Sequence, residues 1–266
     1  MKIKIIFVIL IFLMCGCSKK ELHEYSKELK FFDSIINIKL YTTKDKADNI
    51  FDYIENTIND YENIINKDDV NSEVSYIYNN NLKDKKIKIS NNMNDLIEYG
   101  IKLYNDSNGY LSIGNINEIK LNNNVIDNNH VNLDFDQFIK GYINILIQDY
   151  LKNMNINTYF INTDSEVIAG NNVNNKDYVV AITNPFNDDI LKVFNIQNKY
   201  ITTKYNSMIS VTVLGDDIYI SELVANLLLI NDYDTGVSIA NKYKVKAIWC
   251  YKENNKEVIK SNMEEF

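Results

Sequence analysis

The pair Lys140-Gly141 stands at the expected start of a long amphipathic segment, and it is the pair of residues best suited to chemistry in this sequence. At the start of a helix, backbone N–H groups and a lysine ammonium can bind one phosphate together. The sequence contains no arginine, so lysine, backbone N–H groups, a helix N-terminus or a metal must hold any phosphate. Lys140 is therefore a candidate phosphate-binding and catalytic residue; an ordinary exposed lysine is the alternative interpretation.

Other reactive side chains show no pattern typical of nucleophilic catalysis. His23 and His130 have no serine or carboxylate at an informative spacing, and Cys250 lies in a segment typical of a core strand. No Gly-x-Gly-x-x-Gly or Walker-type loop is present. Tyr78 and Tyr110 could stack on an aromatic ligand, with ordinary packing as the alternative for so abundant a residue type.

The hydrophobic pattern predicts helices and strands without strict alternation. Apolar spacings of three and four predict helices over residues 44–67, 91–106 and 136–154, and two more over 218–230 and 234–243. Asn108-Gly109 suits a left-handed turn after the second of these helices. The predicted strands are residues 34–42, 158–162, 166–170, 178–183, 192–196, 200–203, 209–214 and 246–251. This order is typical of an α+β fold.

The N-terminus has the pattern of a targeting segment. Lys2 and Lys4 precede an apolar run over residues 5–14, which is too short to span a bilayer comfortably. The cysteine of Gly16-Cys17 resembles the lipidated residue of a bacterial lipoprotein, with an ordinary secretory signal or an uncleaved anchor as alternatives. We therefore expect a signal peptide over residues 1–16, lipidation at Cys17 and a flexible tether over 17–30. We accordingly expect the protein to be a membrane-anchored lipoprotein in the bacterial periplasm or at the cell surface.

Composition and charge limit the remaining possibilities. Residues 31–266 contain no Pro/Gly/Ser-rich linker, which indicates a single domain. Only Cys250 lies beyond the signal region, so neither an internal disulfide framework nor a zinc cluster can form. The net charge of −8 argues against a nucleic-acid partner, because such binding needs a cationic face.

Several short motifs occur in one order along the chain. Ser72-Glu73-Val74-Ser75 is similar to Ser-Glu-Ile-Ser, and Ser210-Val211-Thr212-Val213 to Ser-Val-Thr-Val. Leu133-Asp134 with Lys140-Gly141-Tyr142 is similar to Leu-Asp-x-Gly-Gly-x-Ala-Lys-Gly-Tyr. Asn162 with Glu166-Val167 is similar to Asn-x-Gly-Gly-Glu/Asp-Ile, and the segment 221–226 lies where Ala-Asp-Ala-Leu-Ala-Thr is expected. Together they resemble the ApbE family, the FAD:protein FMN transferases.

The resemblance implies a fold and an activity. The fold would be an ApbE-type, T-fold-like single domain of mixed sheets packed with helices. The activity would be Mg²⁺-dependent transfer of FMN from FAD to a threonine of an acceptor redox protein. The resemblance makes Lys140 and Glu222 catalytic, and it assigns Mg²⁺ to Glu222, Asn226 and the carbonyl of Ile139, since Mg²⁺ prefers hard oxygen ligands. The implied FAD-binding residues, with the two tyrosines included, are Ser34, Tyr78, Tyr110, Asp134, Lys140, Gly141, Asn162, Glu166, Thr202 and Thr203.

The chain also departs from the family pattern. Asp136-Gln137 and Asp164-Ser165 stand where the family has paired glycines, which let a ligand approach the backbone closely. Lys204 replaces the glycine of Thr-Ser-Gly, and no histidine follows His130, so a His-Ile-Ile-Asp-Pro segment is missing. The alternative function is therefore a catalytically degenerate homologue that serves as a flavin-binding or partner-binding surface lipoprotein. A third interpretation is an unrelated lipoprotein whose motif matches are accidental.

Overall fold

The computed structural model describes residues 22–80, 86–116, 119–128, 132–187, 189–253 and 256–264. The expected signal peptide, Cys17 and His130 lie outside these residues. Among the described helices, none combines the length and the apolar character that crossing a bilayer requires.

The described residues form thirteen strands and six α-helices. The strands are β1 (His23–Phe31), β2 (Ser34–Thr42), β3 (Lys86–Lys88), β4 (Ile119–Asn122), β5 (Val125–Asn128), β6 (Tyr159–Asn162), β7 (Glu166–Ala169), β8 (Tyr178–Thr183), β9 (Ile190–Ile196), β10 (Lys199–Tyr205), β11 (Ile209–Gly215), β12 (Lys246–Glu253) and β13 (Lys256–Ser261). The α-helices are α1 (Lys44–Ile65), α2 (Glu73–Asn80), α3 (Asn91–Asp106), α4 (Ile139–Asn153), α5 (Ile218–Ile230) and α6 (Tyr233–Lys242).

The largest sheet of the described chain has eight strands. Its strand order is β1-β2-β6-β7-β10-β11-β12-β13, and every neighbouring pair is antiparallel. Strand β10 lies in the interior of this sheet, between β7 and β11. Ladder hydrogen bonds therefore hold the backbone of β10 on both sides, and this fixes where its side chains begin.

The two faces of the sheet are covered differently. Helices α1, α4, α5 and α6 contact one another or the strands, and α5 packs on β10 and β11. On the other face, the antiparallel hairpin β8–β9 packs its Val180, Ile182, Phe194 and Ile196 against Ile201 and other sheet residues. Successive β10 side chains point to opposite faces. Tyr200 and Ile201 accordingly belong to different core clusters.

The sequence pattern predicts most of these elements correctly. The α+β fold is confirmed, and β2, β8, α3 and α5 have the predicted bounds. The apolar stripe predicted for α1 is buried, because burial of one helix face requires the 3.6-residue period. The expected turn after α3 is also confirmed, since both Asn108 and Gly109 have positive φ.

One part of the prediction is wrong. Residues 23–30, expected in a flexible tether, belong to β1, which pairs with β2 along its whole length and buries Leu29. Helix α2 and the small sheet β3-β5-β4 are further elements that the pattern does not predict.

Candidate functional site

A cleft of about 750 Å³, which we call the main cleft, opens between the start of α4, the end of β10 and the second half of α5. Its volume falls in the range of ligand-binding clefts, which is roughly 300–1,000 Å³. Five of the residues implied by the sequence line it: Ile139, Lys140, Glu166, Thr203 and Asn226. The fold therefore brings together residues that lie nearly ninety positions apart in the chain.

Lys140 reaches from the first turn of α4 to the turn between β1 and β2. Its ammonium contacts the carboxylate of Asp33 and lies 3.4 Å from the hydroxyl of Ser34. Asp33 is largely exposed, and its hydrogen bond to Lys140 lowers the pKa of the Asp33 carboxyl. Ser34 thus touches the candidate catalytic lysine but does not belong to the lining of the main cleft.

Glu222, Lys204 and Glu166 form a buried charge cluster at the base of the main cleft. The ammonium nitrogen of Lys204 lies 2.7 Å from Oε2 of Glu222 and 3.6 Å from Oε1 of Glu166. The side chain of Lys204 is 17% exposed, whereas the carboxylates are 1% and 3% exposed. One ammonium therefore faces two carboxylates that are shielded from water.

Burial and mutual charge shift the pKa values of all three groups. Burial raises the pKa of Glu166 to about 6, together with the nearby charge of Glu222. Burial alone would also raise the pKa of Glu222, but the charge and hydrogen bond of Lys204 lower it below the ordinary value. Burial would lower the pKa of Lys204, and the two carboxylates outweigh it and raise that pKa. Lys204 and Glu222 are thus an ion pair at neutral pH.

Polar neighbours from two elements, β10 and α4, complete the cluster. The hydroxyl of Tyr200 donates to Oε1 of Glu222 at 2.6 Å, and Nδ2 of Asn144 donates to Oε2 of Glu166 at 2.8 Å. Three buried oxygens, Oδ1 of Asn144, Oε1 of Glu166 and Oγ1 of Thr202, have no hydrogen-bond partner among the described residues. Such unsatisfied groups are typical of a functional site or of a bound water.

Gly141 is required by the close approach of α4 to α5. A Cβ atom at this position would lie 2.8 Å from Cγ of Glu222 and 2.9 Å from its Cδ and Oε2. Real side chains do not tolerate such distances without a shift of the neighbour. The Lys-Gly pair of the sequence therefore has two separate uses: Lys140 lines the cleft, and Gly141 leaves room for Glu222.

The residues that the resemblance assigns to Mg²⁺ do not fit a metal in this arrangement. Both carboxylate oxygens of Glu222 are engaged, one by Tyr200 and the other by the Lys204 ammonium. Nδ2 of Asn226 donates to the backbone carbonyl of Glu222 at 2.9 Å. A divalent cation on Glu222 would face the ammonium at close range, which is strongly repulsive in a buried site. Across the described ranges, no group of three or more His, Cys, Asp or Glu side chains is placed to hold a metal.

Several implied residues lie away from the main cleft. Tyr78 and Tyr110 are 58% and 66% exposed, and neither belongs to its lining, because their elements present these rings to solvent. Asn162 lines a smaller neighbouring cleft of about 390 Å³, which shares Ser165, Glu166 and Thr203 with the main one. Thr202 is fully buried beneath the main cleft. Asp134 braces its own loop by accepting a hydrogen bond from the backbone N–H of Asp136.

The aspartates that stand where the family has paired glycines lie at the two clefts, and one of them has a lysine partner. Asp136 lines the main cleft, and Lys67 pairs with both Asp136 and Asp134, at 3.2 and 3.0 Å. Asp164 lies at the smaller cleft, and Ser165 lines both clefts. The added negative charge of Asp136 is therefore partly offset by Lys67, which follows the end of α1.

Three residues of the site are not identified as such from the sequence: Lys204, Tyr200 and Asn144. Tyr200, Thr202 and Lys204 alternate along β10, so their side chains point to the same face. That period of two was a usable signal for placing Lys204 beside Tyr200. Asn144 is the fourth residue after Lys140 on α4, and only the packing of α4 against the sheet brings it to Glu166.

Comparisons with known proteins find similar folds and one matching family model. The ApbE family model matches residues 110–206, and a search of curated proteins gives no match. The structure resembles that of the flavin transferase ApbE from Vibrio cholerae, with a TM-score of 0.74 and 14% identity over 90% of this chain and 97% of that one. It also resembles the Pseudomonas stutzeri flavinyl transferase ApbE, with a TM-score of 0.76 and 13% identity over 90% and 94%.

A third similar structure, the ApbE protein of Thermotoga maritima, has a TM-score of 0.73 and 12% identity over 90% of this chain and 96% of that one. At these identities, the structural matches establish the fold. The family match adds the segment that contains Lys140, Glu166 and Lys204. The ApbE resemblance is therefore confirmed: residues 110–206 match the family model, and the described chain has the fold of the ApbE flavin transferases.

Proposed function

We propose that this protein has a flavin transferase-like function, in which FAD binds in the main cleft and FMN passes to a threonine of an acceptor redox protein. The observation that carries the proposal is the main cleft itself, which in an ApbE fold is lined by both Lys140 and Asn226. The relatives with this fold are named flavin transferases.

The main cleft offers two lysines to an anionic ligand of this kind, beside the carboxylates of Asp33, Asp136 and Glu166. Lys140 and Lys204 both line it, and their ammonium groups can contact phosphate oxygens in a chain without arginine. In the proposed reaction, the threonine oxygen bonds to the phosphorus next to riboflavin, the pyrophosphate bond breaks and AMP leaves. The hydroxyl proton of the threonine is released to solvent. The residues of this chain bind and orient FAD for that step.

A second function is favoured by one specific observation. Glu222, the carboxylate implied as a metal ligand, is occupied by Lys204 and Tyr200. A site without the metal keeps the cleft but loses one means of stabilising charge during phosphoryl transfer. The second candidate is therefore a flavin-binding lipoprotein that does not transfer FMN.

One experiment separates the two functions. The protein is incubated with FAD and an acceptor domain that known flavin transferases modify, with either Mg²⁺ or EDTA. Flavin fluorescence reports binding, and mass spectrometry of the acceptor reports a phosphodiester-linked FMN on threonine. We expect both signals from the natural sequence and neither from Lys140→Ala. Lys199→Ala, at a half-buried lysine of β10 outside the main cleft, serves as the matched control. Binding without transfer supports the second candidate, and absence of binding contradicts both.

The location of the protein belongs to the same proposal. We infer that a lipid on Cys17 holds the chain on the outer side of the cytoplasmic membrane, where its acceptor would lie. Replacing Cys17 with serine should move the protein from the membrane fraction to the soluble fraction, and this is measured by fractionation and immunoblotting. Retention of Cys17→Ser in the membrane would contradict lipid anchoring at this residue.

A further inference from the structure

We propose that the ammonium group of Lys204 takes the place of a divalent cation at the base of the main cleft. The ammonium then neutralises part of the charge of the two buried carboxylates without a bound metal. This inference concerns the buried charge cluster and is independent of FMN transfer, although it bears on how the proposed function would operate.

The first support is the position of the ammonium. It lies 2.7 Å from Oε2 of Glu222, which is hydrogen-bond distance, and 3.6 Å from Oε1 of Glu166. A cation between two buried carboxylates is what a metal site at this place would contain. The remaining exposure of Lys204, 17% of its side chain, is directed into the main cleft that it lines.

The second support is the rigidity of the surroundings. Lys204 projects from an interior strand, paired with Val211 of β11, and the backbone N–H of the preceding residue donates to the carbonyl of Ser165. Tyr200 lies four residues before Lys204 on the same face of β10, and its hydroxyl donates a hydrogen bond to the other oxygen of Glu222. Gly141 leaves the space that Glu222 occupies. Residues of two segments, β10 and the start of α4, therefore define the position of the Glu222 carboxylate beneath the ammonium.

The third support is that both carboxylate oxygens of Glu222 already have a partner. A carboxylate whose two oxygens accept from a tyrosine and a lysine has no free position facing the cation site. A bound Mg²⁺ would have to displace Lys204, whose buried side chain has no other anionic partner among the described residues than these two carboxylates. The exchange is therefore unfavourable, since the displaced ammonium would lose its ion pairs.

The test measures metal binding directly and uses no flavin. Full-length protein in detergent is titrated with Mn²⁺, and electron paramagnetic resonance reports the fraction of free ion. We expect no bound Mn²⁺ for the natural sequence at millimolar ion. Lys204→Ala exposes the two carboxylates and should bind one Mn²⁺ about tenfold more tightly or better. Addition of Mg²⁺ should also raise the melting temperature of this variant alone.

Two controls make the result specific to the cluster. Lys140→Ala removes a lysine of the same cleft outside the cluster and should gain no Mn²⁺ binding. Glu222→Gln, added to Lys204→Ala, should abolish the gain. If Lys204→Ala does not fold, Lys204→Gln keeps most of the length of the side chain without the charge, and it should show the same gain in Mn²⁺ binding.

The proposal is overturned if the natural sequence binds one Mn²⁺ as tightly as Lys204→Ala, or if neither Lys204 variant gains binding. Failure of the proposed function has a different signature, namely loss of flavin binding or transfer at any metal concentration. The two failures are therefore distinguishable.

Discussion

Lys204 decides how the two buried glutamates are accommodated. A buried ion pair contributes little by comparison with apolar packing, but removal of one partner leaves a buried charge without compensation. Here the partners are Glu222, at 2.7 Å, and Glu166, at 3.6 Å. The lysine thus removes a large penalty that the carboxylates would otherwise impose on the fold.

Lys204→Ala should accordingly lower the free energy of unfolding by about 3–5 kcal/mol. The measurement is urea denaturation at neutral pH. Lys199→Ala is the matched control, because Lys199 lies on the same strand and pairs with the exposed Asp216 at the surface. The control should lose no more than about 1 kcal/mol. Equal losses in the two variants would show that the cluster contributes nothing specific.

Gly141 gives a second prediction at this scale. Gly141→Ala gains helix propensity, about 1 kcal/mol, but its Cβ would lie 2.8 Å from Cγ of Glu222. Overpacking of this kind typically costs about 1–3 kcal/mol, so we expect a net loss of stability. Gly236→Ala on α6 is the comparison. A Cβ atom at Gly236 would lie no closer than 3.2 Å to its nearest neighbour, Cζ2 of Trp249, so less overpacking is expected. Thermal unfolding should rank Gly236→Ala as the milder change, and the reverse order would contradict the close approach of α4 and α5.

At the scale of elements, β1 is part of the fold rather than a linker. It pairs with β2 along nine residues, and Phe31 at its end is fully buried in the main core. The turn after it carries Asp33, the partner of Lys140. The first strand therefore helps to position the main cleft as well as to cover the edge of β2.

Phe31→Ala should lower the free energy of unfolding by about 3–5 kcal/mol, because it leaves a cavity in the core. Glu28→Ala, on the exposed side of the same strand, is the control and should change stability by less than about 0.5 kcal/mol. Chemical denaturation measures both variants. If β1 were a flexible tether, the two substitutions would have equally small effects.

At the scale of the whole molecule, Cys250 reports on unfolding of the sheet. It lies on β12 and is 1% exposed, and burial, with the charge of Glu257, raises the pKa of its thiol to about 11. At pH 8 the folded protein therefore contains almost no reactive thiolate at this position, while an unfolded chain with an ordinary pKa of about 8.5 contains a substantial fraction.

Alkylation of Cys250 by iodoacetamide at pH 8 should consequently be slow in buffer and fast in denaturing urea. The modified peptide is quantified by mass spectrometry, so other cysteines do not interfere. Because β12 lies inside the sheet, the midpoint of alkylation should coincide with that of circular dichroism. Rapid alkylation in buffer would indicate that this part of the sheet opens locally.

The sequence determines the elements where one period dominates. The apolar stripe of α1 and the alternation of β2 give nearly the observed bounds, because burial of one face requires these periods. It fails for β1, whose N-terminal half is polar and mostly exposed and therefore lacks a strong alternation. Helix α2 is short, so its two turns leave little periodicity to detect.

The candidate site divides in the same way. Residue types and motif order were enough to select Lys140, Gly141, Glu166 and Glu222, because those features are local in the sequence. Only the tertiary structure places Lys204 between Glu166 and Glu222, since that position depends on strand pairing and on the packing of α5 over β10. Whether a carboxylate faces a metal or an ammonium is set by neighbours that are distant along the chain, and no local pattern contains that information.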